Sequence, residues 1–270
     1  MHRDSGSEGF AGSSRSALAV KMFRMLRIAA ALLLLVSSVT HANGWADARQ
    51  LVLVRIADWN TSHGTLQAFT KTEQGWQATK PPSAVTIGRQ GAAWGAGLHT
   101  RQPGTHKKEG DGRSPAGVFR IGDAFGYADS ARTGLHYAAM TESSYCIDVE
   151  RSPFYNQIVD ERVVGRAAIE GSTEPMRRDI HANGDQRYKL GFIVEHNGKR
   201  SAGLGSCIFA HIWKEPGAPT AGCTAMEEEV LVDLVAWLDA TKHPIFVLLP
   251  EQEYERLRAA WNLPIVDMAR

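Results

Sequence analysis

The chain carries almost no excess charge: 30 Lys and Arg against 29 Asp and Glu leave a formal net charge of +1 over 270 residues. No block of basic residues stands out, which argues against nucleic acid as a partner, since phosphate recognition needs clustered cations. The longest apolar run falls short of the ~20 residues that a comfortable membrane span requires. No internal repeat is visible. Cysteine is scarce, with three residues, and neither C-x-x-C nor H-E-x-x-H accompanies them, so no zinc ligand set or other metal site is read here. No cofactor is expected either. What remains is an ordinary globular composition, 43% hydrophobic and 22% charged, sufficient for a core in one large domain or two small ones.

Residues 1–42 read as a leader. Met1 to Ala19 is Gly- and Ser-rich without apolar periodicity. Lys21, Arg24 and Arg27 then precede IAAALLLLVSSV, an h-region at about 28–39, and THA follows before Asn43. A positive segment, a short apolar segment and small residues at a cleavage point describe a secretory signal peptide. A retained anchor is the alternative. Initiation at Met22 or Met25 would give the leader a more usual length. The expectation is an exported protein, periplasmic or cell-wall associated, with no stable membrane anchor after cleavage. In an oxidising compartment two of Cys146, Cys207 and Cys223 should pair and leave one over; three inert buried thiols are the plainer possibility.

Strand signals begin soon after Asn43. LVLVRIAD, TLQAFT and SAVTIG are short β-type runs separated by HG and KPPS turns. Gly91 to Phe125 is Gly-rich but interleaved with Trp94, Leu98, Val118, Phe119, Ile121 and Phe125, which suits tight turns rather than a linker. Within it the basic cluster His106–Lys108 reads as a solvated loop. KLGFIVEHN and CIFAHIW are two further strands; in the second, Cys207, Phe209, His211 and Trp213 share one face by period-two alternation. Thr224 and Glu227 have capping-box spacing, and Val230, Leu231, Leu234, Val235 and Leu238 recur at helical spacing, with Pro244 closing that helix. IFVLLP is a late strand, and EQEYERLRAAWNLP a final helix expected outside the sheet. The fold class is therefore α+β, mainly β, with a domain at 51–250 and a helical extension at 251–270.

His211 and Cys223 flank a Pro- and Gly-containing loop, FAHIWKEPGAPTAGCTAM. A thiol just before a helix N-terminus gains acidity from unsatisfied N–H groups and the dipole, and a thiolate is the nucleophile. Gly222 permits close approach of a substrate, and N–H groups around Cys223 would serve as an oxyanion hole. His211, ending a rigid strand, is the natural base. A merely buried Cys and His is the plainer alternative. His99, His136, His181 and His196 read as surface or turn histidines.

The stretch H-I-W-K-E-P-G-A-P-T-A-G-C-T-A-M resembles the active-site motif of the L,D-transpeptidase (YkuD-like) family, in which a His precedes Ser/Thr-x-Gly-Cys by a dozen or more residues. EGDGRSPAGVF is similar to that family's Gly-rich segment, here Ser114, Pro115, Gly117 and Phe119. The resemblance spans about Leu51 to Pro250. It implies a sandwich-like catalytic fold with a helix after the Cys loop, Cys223 as acylated nucleophile, His211 as general acid/base, and Thr220, Gly222 and Thr224 shaping the substrate and oxyanion site. It implies peptidoglycan stem peptides as substrate and acyl transfer through a thioester, with an L,D-carboxypeptidase or a catalytically silent peptidoglycan-binding module as the alternatives. Pairing Cys146 with Cys207 would then leave Cys223 free. Two departures stand out: Ala221 replaces a His, and Thr224-Ala225-Met226 lacks the Arg that would grip a substrate carboxylate.

Overall fold

The computed structural model describes residues 43–177 and 184–266. The signal-peptide reading of 1–42, His181 and the last four residues of the extension lie outside the described residues. Strands β1 (Gln50–Ile56), β2 (His63–Thr72), β3 (Gly75–Ala78), β4 (Ser83–Thr86), β5 (Ala92–Trp94) and β6 (Ser114–Gly126) occupy the first half. After β7 (Tyr137–Ala139), β8 (Ser144–Cys146) and β9 (Ile158–Asp160) come two single-turn helices, α1 (Glu161–Val164) and α2 (Arg166–Ile169). Then follow β10 (Glu174–Pro175), β11 (Leu190–Val194), β12 (Phe209–Ile212), β13 (Thr224–Met226), α3 (Glu228–Trp237), β14 (Ile245–Pro250) and α4 (Glu251–Leu257).

The chain is mainly β, and its principal sheet closes. The hydrogen-bonded order runs β1–β14–β6–β11–β12–β13–β4–β2 and returns to β1. This corrects the sandwich-like expectation. The physical reason lies in β1, which takes β14 as a parallel partner on one edge and β2 as an antiparallel partner on the other. A strand satisfied on both edges leaves no open margin for a second, separate layer, and closure removes the unpaired N–H and C=O groups an edge would expose.

β1 and β14 are apolar along nearly their whole length because both faces are covered. One face looks into the barrel; against the rest packs α4 with the residues after it. Leu51 to Val54, Ile245 to Leu249, Tyr254, Leu257, Trp261 and Leu263 belong to one buried cluster. The Arg55 guanidinium ties this arrangement with a 3.0 Å ion pair to Glu251 and lies over the Tyr254 ring at 5.3 Å. Trp45 joins the same core edge-on to Trp261, 5.7 Å between centroids.

Between β6 and β11 the chain leaves the barrel and builds a small sheet, ordered β10–β8–β9. It covers one outer face of the barrel, and a second apolar cluster fills the seam: Phe125, Tyr127, Met140, Cys146, Met176, Tyr188, Cys207, Phe209 and Cys223. Sequence periodicity misplaced several features here. Thr224–Met226 is a strand, not a helix cap; all three residues are buried, Ala225 pairing with both His211 and Thr86. Helix α3 starts at Glu228 with no side-chain cap and stops at Trp237, well before Pro244. Trp213 packs against the barrel core rather than with Phe209. Lys107 is buried and paired with Asp111 at 2.6 Å, so the His106–Lys108 cluster is not simply solvated. His99 and His196 are buried as well, while His136 is exposed.

Candidate active site

β12 and β13 run parallel with Ala210 opposite Thr224 and His211 opposite Ala225. One step earlier, Cys223 lies beside Phe209, whose N–H donates to the Cys223 Sγ at 3.3 Å. The thiol donates in turn to the Cys207 carbonyl at 3.4 Å. Side chains alternate, so Ile208, Ala210 and Ile212 enter the barrel core while Cys207 and Phe209 face the seam, the side His211 also takes. Neighbouring strands about 4.8 Å apart and a rise of ~3.3 Å per residue make His211 and Cys223 diagonal neighbours on one face. The short strand thus brings together two residues that the sequence separates by a loop.

The His211 Nδ1 is 2.7 Å from the Ile212 carbonyl oxygen. A carbonyl only accepts, so Nδ1 carries the hydrogen and Nε2 holds the lone pair, the tautomer a base needs. The Tyr188 ring stands edge-on to the imidazole at 5.3 Å between centroids and to Phe209 at 5.9 Å.

The Cys223 loop is clamped from two sides. Thr220 Oγ1 donates to the Cys223 carbonyl at 2.6 Å and accepts the Gly222 N–H at 3.1 Å. Ser114, the first residue of β6, reaches across to the Gly222 carbonyl at 2.7 Å and the Cys223 carbonyl at 3.2 Å, while its oxygen accepts from the Gly88 N–H at 2.9 Å. The Ser-Pro-Ala-Gly-Val-Phe segment therefore has a mechanical role: its hydroxyl fixes the turn that presents the thiol. Gly117 in the same segment has φ +134°, and a Cβ there would fall 1.9 Å from the His99 ring. The Gly222 N–H is engaged with Thr220, so it is not a spare donor for an oxyanion. Thr224 lies inside β13, buried, rather than on the loop.

Cys223 and His211 are 7% and 5% exposed. Burial, followed by the charge of Glu174, pushes the thiol up to about 12, with the Phe209 N–H, Lys107 and Arg187 opposing. Burial likewise pushes His211 down to about 4, against its bond to Ile212. At neutral pH both groups are uncharged. The expected acidification at a helix N-terminus does not occur, because α3 begins beyond β13 and burial dominates the thiol's surroundings.

Four residues from the cover complete the site, and no sequence spacing marked them. Tyr188 donates to Glu174 Oε1, and burial raises the Glu174 carboxyl above its usual range. Arg187 and Asp185 form a bidentate pair, Nε to Oδ1 at 3.0 Å and Nη2 to Oδ2 at 2.5 Å. Both act electrostatically on His211. Cys146 and Cys207 are bonded to each other, Cα atoms 6.0 Å apart, and Cys223 is free. Among the described residues no group of three or more His, Cys, Asp or Glu is arranged to hold a metal ion, and no helix is long and apolar enough to cross a membrane.

The chain matches no family model, no curated protein and no solved structure. The chemistry of the site rests on its own residues.

Proposed function

We propose that the protein is an exported, cysteine-dependent L,D-transpeptidase, a member of the YkuD-like group its motifs resemble, acting on peptidoglycan stem peptides. The observation that carries this reading is the register of β12 with β13, which sets Cys223, the residue just ahead of β13, beside Phe209 and two positions along from His211, with the imidazole Nδ1 occupied and Nε2 holding the lone pair. On this reading the closed sheet, with the Cys223 loop, β13 and α3 beside it, is that group's catalytic fold.

The neutral thiol and neutral imidazole define the first step. As Sγ attacks the carbonyl at the L-centre of the tetrapeptide's diamino acid, its proton passes to Nε2. The C–N bond to the terminal D-alanine then breaks, and the imidazolium returns the proton to the leaving amine. A thioester remains on Cys223 and an amine resolves it; water in place of the amine gives the carboxypeptidase. Burial of both side chains favours one further reading, a silent wall-binding module that keeps the groove without turnover.

A disaccharide tetrapeptide distinguishes these outcomes: D-alanine release with cross-linked dimer supports the transpeptidase, tripeptide alone the carboxypeptidase, and neither product the silent module. Intact-mass analysis after exposure to a carbapenem, which acylates the thiol in that family, should show an adduct on the wild type and none on Cys223→Ala.

A further inference from the structure

The arginine that would grip a carboxylate beside the thiol is missing, and the charge that acts most strongly on the thiol, that of Glu174, has the opposite sign. Glu174, at the start of β10, pairs with Cys146 in the ladder to β8. Cys146 is bonded to Cys207, and the Cys207 carbonyl takes the Cys223 thiol hydrogen at 3.4 Å. By a separate route, Glu174 accepts from the Tyr188 hydroxyl, and the Tyr188 ring stands 5.3 Å from that of His211. Two independent connections, one through the disulfide and one through Tyr188, bring the same carboxylate to the cover over the Cys–His pair.

That carboxylate has unused capacity. Tyr188 occupies Oε1, while Arg187, the cation acting most strongly on Glu174, is spent on a bidentate bond to Asp185. Lys107, the other cation felt by the thiol, is paired with Asp111. Counting Glu174 as −1, Arg187 as +1 and Asp185 as −1, these three side chains carry a net −1 in the carboxylate state. A carboxylate that forms no ion pair among the described residues, beside a reactive centre, attracts a cation and repels an anion.

We propose that Glu174 recognises the acyl acceptor, holding it as an ammonium group beside the thioester on Cys223. This rests on the acyl-transfer reading above and narrows it to an amine acceptor. In the resolving step the ammonium gives one proton to the Glu174 carboxylate. The freed nitrogen lone pair attacks the thioester carbonyl, the C–N bond forms and the C–S bond breaks. The second proton lost by nitrogen passes through His211 Nε2 to the departing sulfur. Thioester, ammonium and carboxylate become amide, thiol and carboxylic acid, with no change in net charge and no outside reagent. The raised Glu174 carboxyl suits a group that takes up a proton in this way.

The test reads the site's charge preference without requiring turnover. Cys223 is the free thiol once Cys146 and Cys207 are bonded, so mixed-disulfide formation with aminoethyl and sulfonatoethyl methanethiosulfonate, followed by intact mass, measures its reaction with a cation and an anion sharing one leaving group. The wild type should favour the aminoethyl reagent, and Glu174→Gln, which keeps an oxygen acceptor for Tyr188, should cut the rate ratio about tenfold or more. Glu174→Asp, which retains the charge, should keep most of the preference and covers the case in which the Gln variant fails to fold. An unchanged ratio in a folded Glu174→Gln protein that keeps its disulfide overturns the proposal. In parallel, the tetrapeptide is supplied with an amine acceptor. If the peptide never acylates Cys223, the transpeptidase reading fails whatever the reagent ratio shows. If it acylates normally and Glu174→Gln leaves the division between amine and water unaltered, the role of Glu174 fails while the transpeptidase reading stands.

Discussion

The Ser114 hydroxyl, at the start of β6, lies 2.7 Å from the carbonyl oxygen of Gly222, more than a hundred residues later in the chain. It also accepts the Gly88 N–H at 2.9 Å. One buried hydroxyl thus ties the Cys223 turn to two other segments. Ser114→Ala would leave the Gly88 donor and the Gly222 acceptor short of a partner, at a cost of about 1–3 kcal/mol. Urea unfolding should register that loss. Because the turn itself loosens, turnover should fall further than stability alone explains, whereas Ser114→Thr should retain both if its extra methyl is accommodated.

Stability should fall on mild acidification. Burial lowers the folded-state value of both His196 and His211 from 6.5 to about 4. Each neutral imidazole therefore contributes stability that is fully present above pH 6.5 and lost as pH falls toward 4. At ~1.4 kcal/mol per pH unit, each is worth about 3 kcal/mol over that window. Glu174, whose carboxyl is raised by burial, works in the opposite sense, so the useful comparison is between variants. The slope of unfolding free energy against pH, measured from 7 to 4.5, should flatten in His196→Gln; an unchanged slope would mean that His196 is not buried neutral.

The bond between Cys146 and Cys207 spans 61 positions and joins the cover to the residues just ahead of β12. Removing it by Cys146→Ser with Cys207→Ser should cost about 2–5 kcal/mol by freeing the unfolded chain and loosening the cover. The same change should make Cys223, 7% exposed in the folded protein, react faster with a small neutral thiol reagent. A rate equal to that of the parent would show that the disulfide does not control access to the site.

Much of the barrel was legible in the sequence because its strands announce themselves: β1 is apolar from Leu51 to Val54, β14 from Ile245 to Leu249, and β11 lies in the run KLGFIVEHN; β6 was not, because its glycines favour tight turns and hide a strand of 13 residues. Closure was not legible, since it depends on β1 pairing with both β2 and β14, a choice made by the whole sheet. Thr224 to Met226 shows how tertiary pairing overrides a local signal. The Thr-x-x-Glu spacing favours a helix cap, yet burying three residues between β12 and β4 gains more than a cap does. His211 and Cys223 were visible because strand and loop flank them directly. Glu174, Arg187 and Tyr188 were not, because they reach the site through a cover whose path back to the barrel no periodicity encodes.

Acylation of Cys223 with His211 as its base is read by intact-mass analysis during incubation with a disaccharide tetrapeptide. The expected product is an adduct of the peptide less its terminal D-alanine, carried on Cys223, absent in Cys223→Ala and at least about a hundredfold slower to form in His211→Ala, in line with the ~10²–10⁴ contribution of a positioned base. An adduct that survives Cys223→Ala, or one that forms at an undiminished rate in His211→Ala, would contradict it.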